Sequence, residues 1–179
     1  MINKILVLFL ILGTLTFGNC NIPELEKFES KTEPVLIFNS KKEVVKIDVK
    51  RLMRKTIMVE SNCNPDIKSS VAKGITQIEP STFKKMSSDK NFRKTFQKIE
   101  KKYEVNLKKD WSTDTYTNIV AAYAVYKWKM NDVPRWWNIR HKFTQLKNNF
   151  HDLEWNLYKV YFNSIAGKTT LKKWNRYEV

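Results

Sequence analysis

From Val49 onward the chain carries a succession of apolar stripes at helical spacing, and that pattern restricts the fold to a mainly α one. Val49, Met53, Ile57 and Glu60 fall at i, i+4, i+8 and i+11, one face of a helix. Phe92, Phe96, Ile99 and Tyr103 form a second stripe, and Ile119, Ala122, Val125 and Tyr126 a third within an Ala- and Tyr-rich segment. Ile139, Phe143, Leu146 and Phe150 follow, with Pro134 just ahead, where a first helical turn tolerates it. Leu153, Leu157, Val160 and Tyr161 close the series. These residues read as core. Val71, Ile75 and Ile78 interrupt the helical pattern, so a small β-hairpin is expected within residues 67–79, after the first long helix. Residues 19–45 mix Pro23, Pro34, charges and the short run Val35-Leu36-Ile37-Phe38. They read as an irregular lead-in with room for one short strand, ahead of a single domain over residues 46–179.

The amino terminus sets the compartment. Met1 to Lys4 is basic, Ile5 to Leu12 is wholly apolar, and Phe17-Gly18 closes the apolar region. A membrane span needs about 20 apolar residues, so residues 1–18 read as a secretory signal, with Thr16 and Gly18 at −3 and −1 of a cut before Asn19. Lipidation of Cys20 is the competing reading, against which Asn19 stands where a lipoprotein signal carries a small residue. Cys20 and Cys63 are the only cysteines. In an oxidising compartment they could pair, but their unequal positions make no disulfide framework, and Cys63 reads as a small buried hydrophobe. The formal charge of +15 loses only Lys4 with the signal. Such a surplus calls for an anionic partner: nucleic acid, a membrane surface or a polyanionic wall polymer. Export removes nucleic acid from that choice.

Glu60 breaks the first stripe, standing where an apolar face would carry a leucine. A carboxyl at the edge of a core or on a cleft wall is desolvated, which favours its protonated form, the form a general acid needs. A frayed helix end with Glu60 turned to water is the competing reading, and the residues that follow weigh against it. Glu60-Ser61-Asn62-Cys63-Asn64-Pro65 runs on to Ser69 and then to Gly74-Ile75-Thr76-Gln77-Ile78-Glu79-Pro80-Ser81-Thr82. This resembles the lytic transglycosylase signature: Glu-Ser-x-x-Asn-Pro, then Ser, then Gly-Leu-Met-Gln-Ile-x-Pro-x-Thr. Asn118-Ile119-Val120-Ala121-Ala122 is similar to that family's Asn-Ile-x-x-Gly helix start. Phe162-Asn163-Ser164 with Gly167 is similar to its Tyr-Asn-Ala-Gly segment. The blocks keep the family's order across roughly residues 45–170. Beyond the signal the chain has only Gly74 and Gly167, and both fall inside the blocks. The departures are a Ser69–Gly74 stretch one residue short, Thr76 and Glu79 at positions usually apolar, Val125 in place of a tyrosine beside Tyr126, and Phe162 without a tyrosine's hydroxyl.

The resemblance implies a lysozyme-like helical domain whose cleft accepts peptidoglycan glycan strands. By that analogy Glu60 is the catalytic acid, then the base, in a cleavage that closes a 1,6-anhydro ring on N-acetylmuramic acid. An internal nucleophile removes the need for a second carboxylate. Ser69, Gln77, Tyr126, Phe162 and Asn163 are the candidate substrate contacts, with Ser69, Gln77 and Asn163 equally able to serve as turn formers. No cofactor and no metal are expected, since His141 and His151 lack zinc-ligand spacing. Trp136-Trp137 reads as packing. The expected setting is the periplasm or cell envelope, as a monomer with room for an envelope or secretion-machine partner. Two other readings stay open. One is a lysozyme-type hydrolase in which Asp66, Glu79 or Asp114 assists a water, Glu79 foremost. The other is a basic wall-binding protein without catalysis.

Overall fold

A computed structural model describes residues 20–38, 44–130, 153–162 and 168–176. Pro23 at the first helical position and Glu24 and Glu26 in the first turn favour a short helix, α1 (Pro23–Ser30), whose Leu25 and Phe28 are fully buried. Pro34 then precedes β1 (Val35–Phe38), which pairs antiparallel with β2 (Val44–Ile47), Val35 opposite Ile47 and Phe38 opposite Val44. The segment expected to be irregular is therefore mostly regular. Its two prolines do not break anything: Pro23 opens a helix, and Pro34 stands outside the strand that follows it.

Asp48 caps the next helix, α2 (Val49–Ser61), by accepting from the Arg51 amide at 3.0 Å. The apolar face of α2 is buried as the spacing predicts, with Val49, Met53 and Ile57 at most 2 % exposed. The hairpin expected after α2 is reduced to one antiparallel bridge, Lys73 with Ile78, closed by reciprocal backbone bonds of 2.9 and 3.1 Å. Ile75 and Ile78 are buried whereas Val71 is 63 % exposed, so the three residues share no face on which a strand could be paired.

Helices α3 (Pro80–Ser88), α4 (Arg93–Tyr103), α5 (Leu107–Asp110) and α6 (Thr115–Met130) follow. The α4 stripe is buried through Phe96, Ile99 and Tyr103, with Phe92 buried just ahead of it. α6 is the central element. Tyr116 to Ala122, Ala124 to Tyr126 and Met130 are all buried, and α1, α2, α3, α4 and α5 pack around it. Phe28 of α1 stacks on Tyr103 at 5.3 Å and meets the edge of Tyr123 at 5.6 Å. The last described parts are α7 (Leu153–Leu157), which runs into a π-helical turn at Tyr158–Phe162, and α8 (Lys168–Arg176). The stripe read from Ile139 to Phe150 and the signal over residues 1–18 lie outside the described residues, as do Trp136, Trp137, His141 and His151. No helix among the described residues is long and apolar enough to cross a membrane.

Polar ties fix the outer elements on α2. Arg54 grips Glu29 of α1 with two contacts of 2.5 and 2.7 Å. Glu154 of α7 takes Arg51 at 2.7 Å and the Asp48 amide at 3.1 Å. Lys55, only 4 % exposed, donates to the Trp174 carbonyl of α8 at 3.3 Å and lies 5.3 Å from that indole's centre. The cysteines correct a further expectation: Cys63 is not a lone buried hydrophobe but is bonded to Cys20, with Cα atoms 5.6 Å apart. Because Cys20 and Ile22 fold into the core, the start of the described chain comes to lie beside the end of α2. A separation of 43 residues could not reveal this proximity.

Candidate active site

Glu60 occupies the last turn of α2 and is half-buried. The helix stops immediately afterwards. Asn62 takes a left-handed conformation (φ 52°) and its amide closes on the Met58 carbonyl at 3.1 Å, while Ser61 donates back to Ile57 at 2.9 Å. Cys63 is also left-handed (φ 63°) and is held by the disulfide. Glu60 thus stands at the mouth of a sharp, covalently anchored turn.

One partner of Glu60 is a residue that the sequence reading missed. Tyr158, fully buried at the start of the π-helical turn, donates its hydroxyl to Glu60 Oε1 at 2.5 Å. The Tyr158 ring is fixed by Trp174 at 5.1 Å, Trp155 at 5.6 Å and Phe162 at 6.2 Å. A buried phenol finds few partners, and a carboxylate oxygen is a strong one. The aromatic stack therefore holds one oxygen of Glu60 in place.

Tyr126 stands in the same wall and is buried. It is 1 % exposed, and its hydroxyl lies 2.8 Å from Thr56 Oγ1. Thr56 spends its own proton on the Leu52 carbonyl at 2.8 Å, so Tyr126 is the donor to Thr56. Burial pushes the Tyr126 hydroxyl well above its ordinary pKa of 10. The Thr56 hydrogen bond offsets part of this, and Tyr158 and Glu60 add to it, so the ring stays neutral beside the carboxyl. Phe162 stacks on Tyr126 at 5.3 Å, joining the Tyr126 and Tyr158 rings into one aromatic wall. Tyr126, expected as a sugar contact, thus lies buried with its hydroxyl engaged by Thr56.

The loop after Glu60 is built from the other expected residues. Ser69 Oγ accepts from the Val71 and Ala72 amides, both at 3.2 Å, and so shapes the turn. Gln77 is left-handed (φ 49°) and donates through Nε2 to the Gly74 carbonyl at 2.8 Å. Through this bond Gln77 takes part in the geometry of the loop. Gly74 has φ +70°, and a Cβ there would overlap the Asn118 carboxamide. Asn118 itself is 1 % exposed and fully used. Its Oδ1 takes the Thr76 amide at 2.9 Å and the Thr76 hydroxyl at 2.7 Å, and its Nδ2 donates to the carbonyls of Lys73 at 3.2 Å and Trp111 at 2.8 Å. Thr76, in a position expected to be apolar, is buried because Asn118 satisfies it. The helix-start motif containing Asn118 is thus a clamp that holds the loop onto α6, a role its sequence block hinted at without specifying. Asn163 lies outside the described residues. Among the described residues no group of three or more His, Cys, Asp or Glu side chains could hold a metal ion.

A half-buried glutamate at a helix end, an aromatic wall at its back and a glycine-dependent loop pinned by one asparagine come together at the end of α2. The family model of the transglycosylase SLT domain matches residues 38–178. The chain belongs to that family. No curated protein and no solved structure matches it. The match runs from β1 through α8 and takes in Glu60, the Asn118 clamp, Tyr158 and Phe162. SLT domains act on peptidoglycan, usually outside the cytoplasm, and membership places this chain among the lytic transglycosylases.

Proposed function

We propose that the protein is an exported peptidoglycan lytic transglycosylase that cleaves the β-1,4 bond between N-acetylmuramic acid and N-acetylglucosamine, with Glu60 as the only catalytic carboxyl. Glu60 gives its proton to the glycosidic oxygen as the bond to C1 breaks. The muramyl 6-hydroxyl then closes on C1, and its proton returns to Glu60, which restores the acid and leaves a 1,6-anhydro end. The observation that carries this reading is the placement of Glu60: half-buried, fixed by Tyr158 and set at the head of the family's loop. The hydrolase alternative needs a second carboxylate, and Asp114 is spent capping α6, where its Oδ1 takes the Thr117 amide at 2.7 Å and hydroxyl at 2.5 Å. Residues 1–18 act as the export signal, and a disulfide at Cys20 is incompatible with a lipid on that sulfur. The enzyme works as a monomer without cofactor or metal.

Mass spectrometry of muropeptides released from purified peptidoglycan tests the reaction. Anhydro-ended products are expected; reducing-end products would replace this reading with a hydrolase and direct attention to Glu79, which is exposed at the head of α3. Tyr158→Phe tests the positioning. It keeps the ring stack and removes one hydrogen bond that aims the Glu60 carboxyl, so kcat falls about tenfold while KM changes less than twofold. An unchanged kcat would reduce the hydroxyl to a packing detail.

A further inference from the structure

Residues 84–109 are crowded with cations. Lys90, Arg93, Lys94, Lys98, Lys101 and Lys102 lie on or just before α4, and Lys108 and Lys109 follow on α5. The neighbouring acids are largely committed within the fold. Asp89 accepts from Trp128 Nε1 at 2.7 Å and from the Asn91 amide at 2.8 Å, and Glu100 accepts the Leu107 amide at 3.0 Å. Glu104 is held by Lys31 at 2.6 Å. Between the end of α3, the α4 helix and the turn into α5 lies an open cavity of about 580 Å³. That volume is within the usual range for small-ligand sites. Lys90, Arg93 and Lys108 stand around it together with the acids Asp89 and Glu100, and Phe96 and Val105 form apolar wall. Among the described residues none of these three cations has a hydrogen-bond or ion-pair partner, and none of the residues around Glu60 lines the cavity.

We propose that this cavity is a carboxylate-binding site that takes the peptide stems carried by the glycan, a reading that rests on peptidoglycan being the substrate. The chemistry matches on two counts. Three cations outnumber the two acids around the cavity, and both acids are engaged by N–H donors of the fold, so a ligand with several carboxylates is attracted, and the planar Arg93 fork pairs with one of them in two parallel bonds. Half-buried Val105 offers apolar surface to small methyl side chains, which such stems also present. An uncharged sugar would meet neither need, since Phe96 is only 4 % exposed and offers no stacking platform. The site gives the enzyme a hold on the substrate separate from its bond-cleaving centre, so that peptide-bearing strands are engaged in preference to bare ones.

Co-sedimentation tests this in a Glu60→Gln background, where the polymer is not consumed. Intact sacculi are compared with the same sacculi stripped of peptides by an amidase. Binding to the intact polymer is expected to be about tenfold tighter, and Arg93→Ala with Lys108→Ala is expected to remove that difference while leaving binding to the stripped glycan unchanged. Lys84→Ala with Lys85→Ala removes the same charge from the exposed side of α3 and is expected to change neither. Equal binding to both polymers, full binding by the cavity variant, or an equal loss in the α3 control would each overturn the proposal. Thermal melting checks the fold, and Arg93→Gln serves in the same assay should the double variant unfold. A soluble tripeptide, L-alanyl-γ-D-glutamyl-diaminopimelate, supplies a test independent of the glycan. It should shift the NMR amide signals of Arg93 and Lys108, and inorganic phosphate at the same concentration should not. Tripeptide shifts without any anhydro product would sink the reaction proposed above and leave the cavity standing; products without tripeptide shifts would do the reverse.

Discussion

Glu60→Gln leaves the protein folded and lowers the release of muropeptides from peptidoglycan by about 10³-fold or more, within the span that a single general acid–base contributes. Glutamine keeps the length of the side chain and presents a carbonyl oxygen to the Tyr158 hydroxyl that now reaches Glu60 Oε1 at 2.5 Å. What glutamine cannot do is hand a proton to the glycosidic oxygen or take one from the 6-hydroxyl. Both steps run through the same group, so no second residue compensates. The contrast with Tyr158→Phe is informative, because that change disturbs the aim of the carboxyl and this one deletes its proton. The check is initial-rate measurement beside a thermal melt. A melting temperature within a few degrees of the wild type is expected, since glutamine keeps the size and length of this half-buried side chain. Activity within tenfold of the wild type would show that Glu60 is not the acid.

The helical skeleton was legible because periodicity reports burial directly. The stripes on α2, α4 and α6 became the core, and Glu60 stood out because it broke the first of them. Tyr158 was not legible in that way. A reading at 3.6 residues per turn carries one face from Leu157 on to Tyr161, whereas the backbone changes to i→i+5 bonding at Tyr158. That change alters which residues follow one another on a face, and no side-chain pattern announces it. The hydroxyl missing at Phe162 is thus accompanied by another four residues earlier, a relation visible only in space. The burial of Tyr126 was not legible for a different reason: sequence cannot say that Thr56, seventy residues away, accepts the hydrogen bond of its hydroxyl. The lead-in, expected to be irregular with one short strand, holds that strand at Val35–Phe38 and a helix besides, since proline at the first turn of a helix or just outside a strand obstructs nothing.

Replacing both Cys20 and Cys63 by serine costs about 4 kcal/mol of stability. In the chain-entropy account, a bond closing a loop of 43 residues removes about that much freedom from the unfolded chain. Domains of this size are stable by about 5–15 kcal/mol in total, so the loss is a large share of the whole. Urea unfolding measures it: the midpoint falls for the double serine variant, and falls equally for the wild type under reductant. The consequence for function is larger than stability alone implies. Asn62 and Cys63 are consecutive left-handed residues without being glycine, a conformation that costs about 1–2 kcal/mol per residue. The disulfide secures one of them within three residues of Glu60. Without it the turn can relax toward ordinary backbone, which moves the last turn of α2 and the carboxyl it carries. Activity is therefore expected to fall several-fold at a temperature where circular dichroism shows the variant still folded. A loss that merely tracks the unfolded fraction would confine the bond to stability. An unfolding midpoint equal to that of the wild type would mean that the two sulfurs are not joined in solution, and Cys63 would return to being a small apolar side chain beside the site.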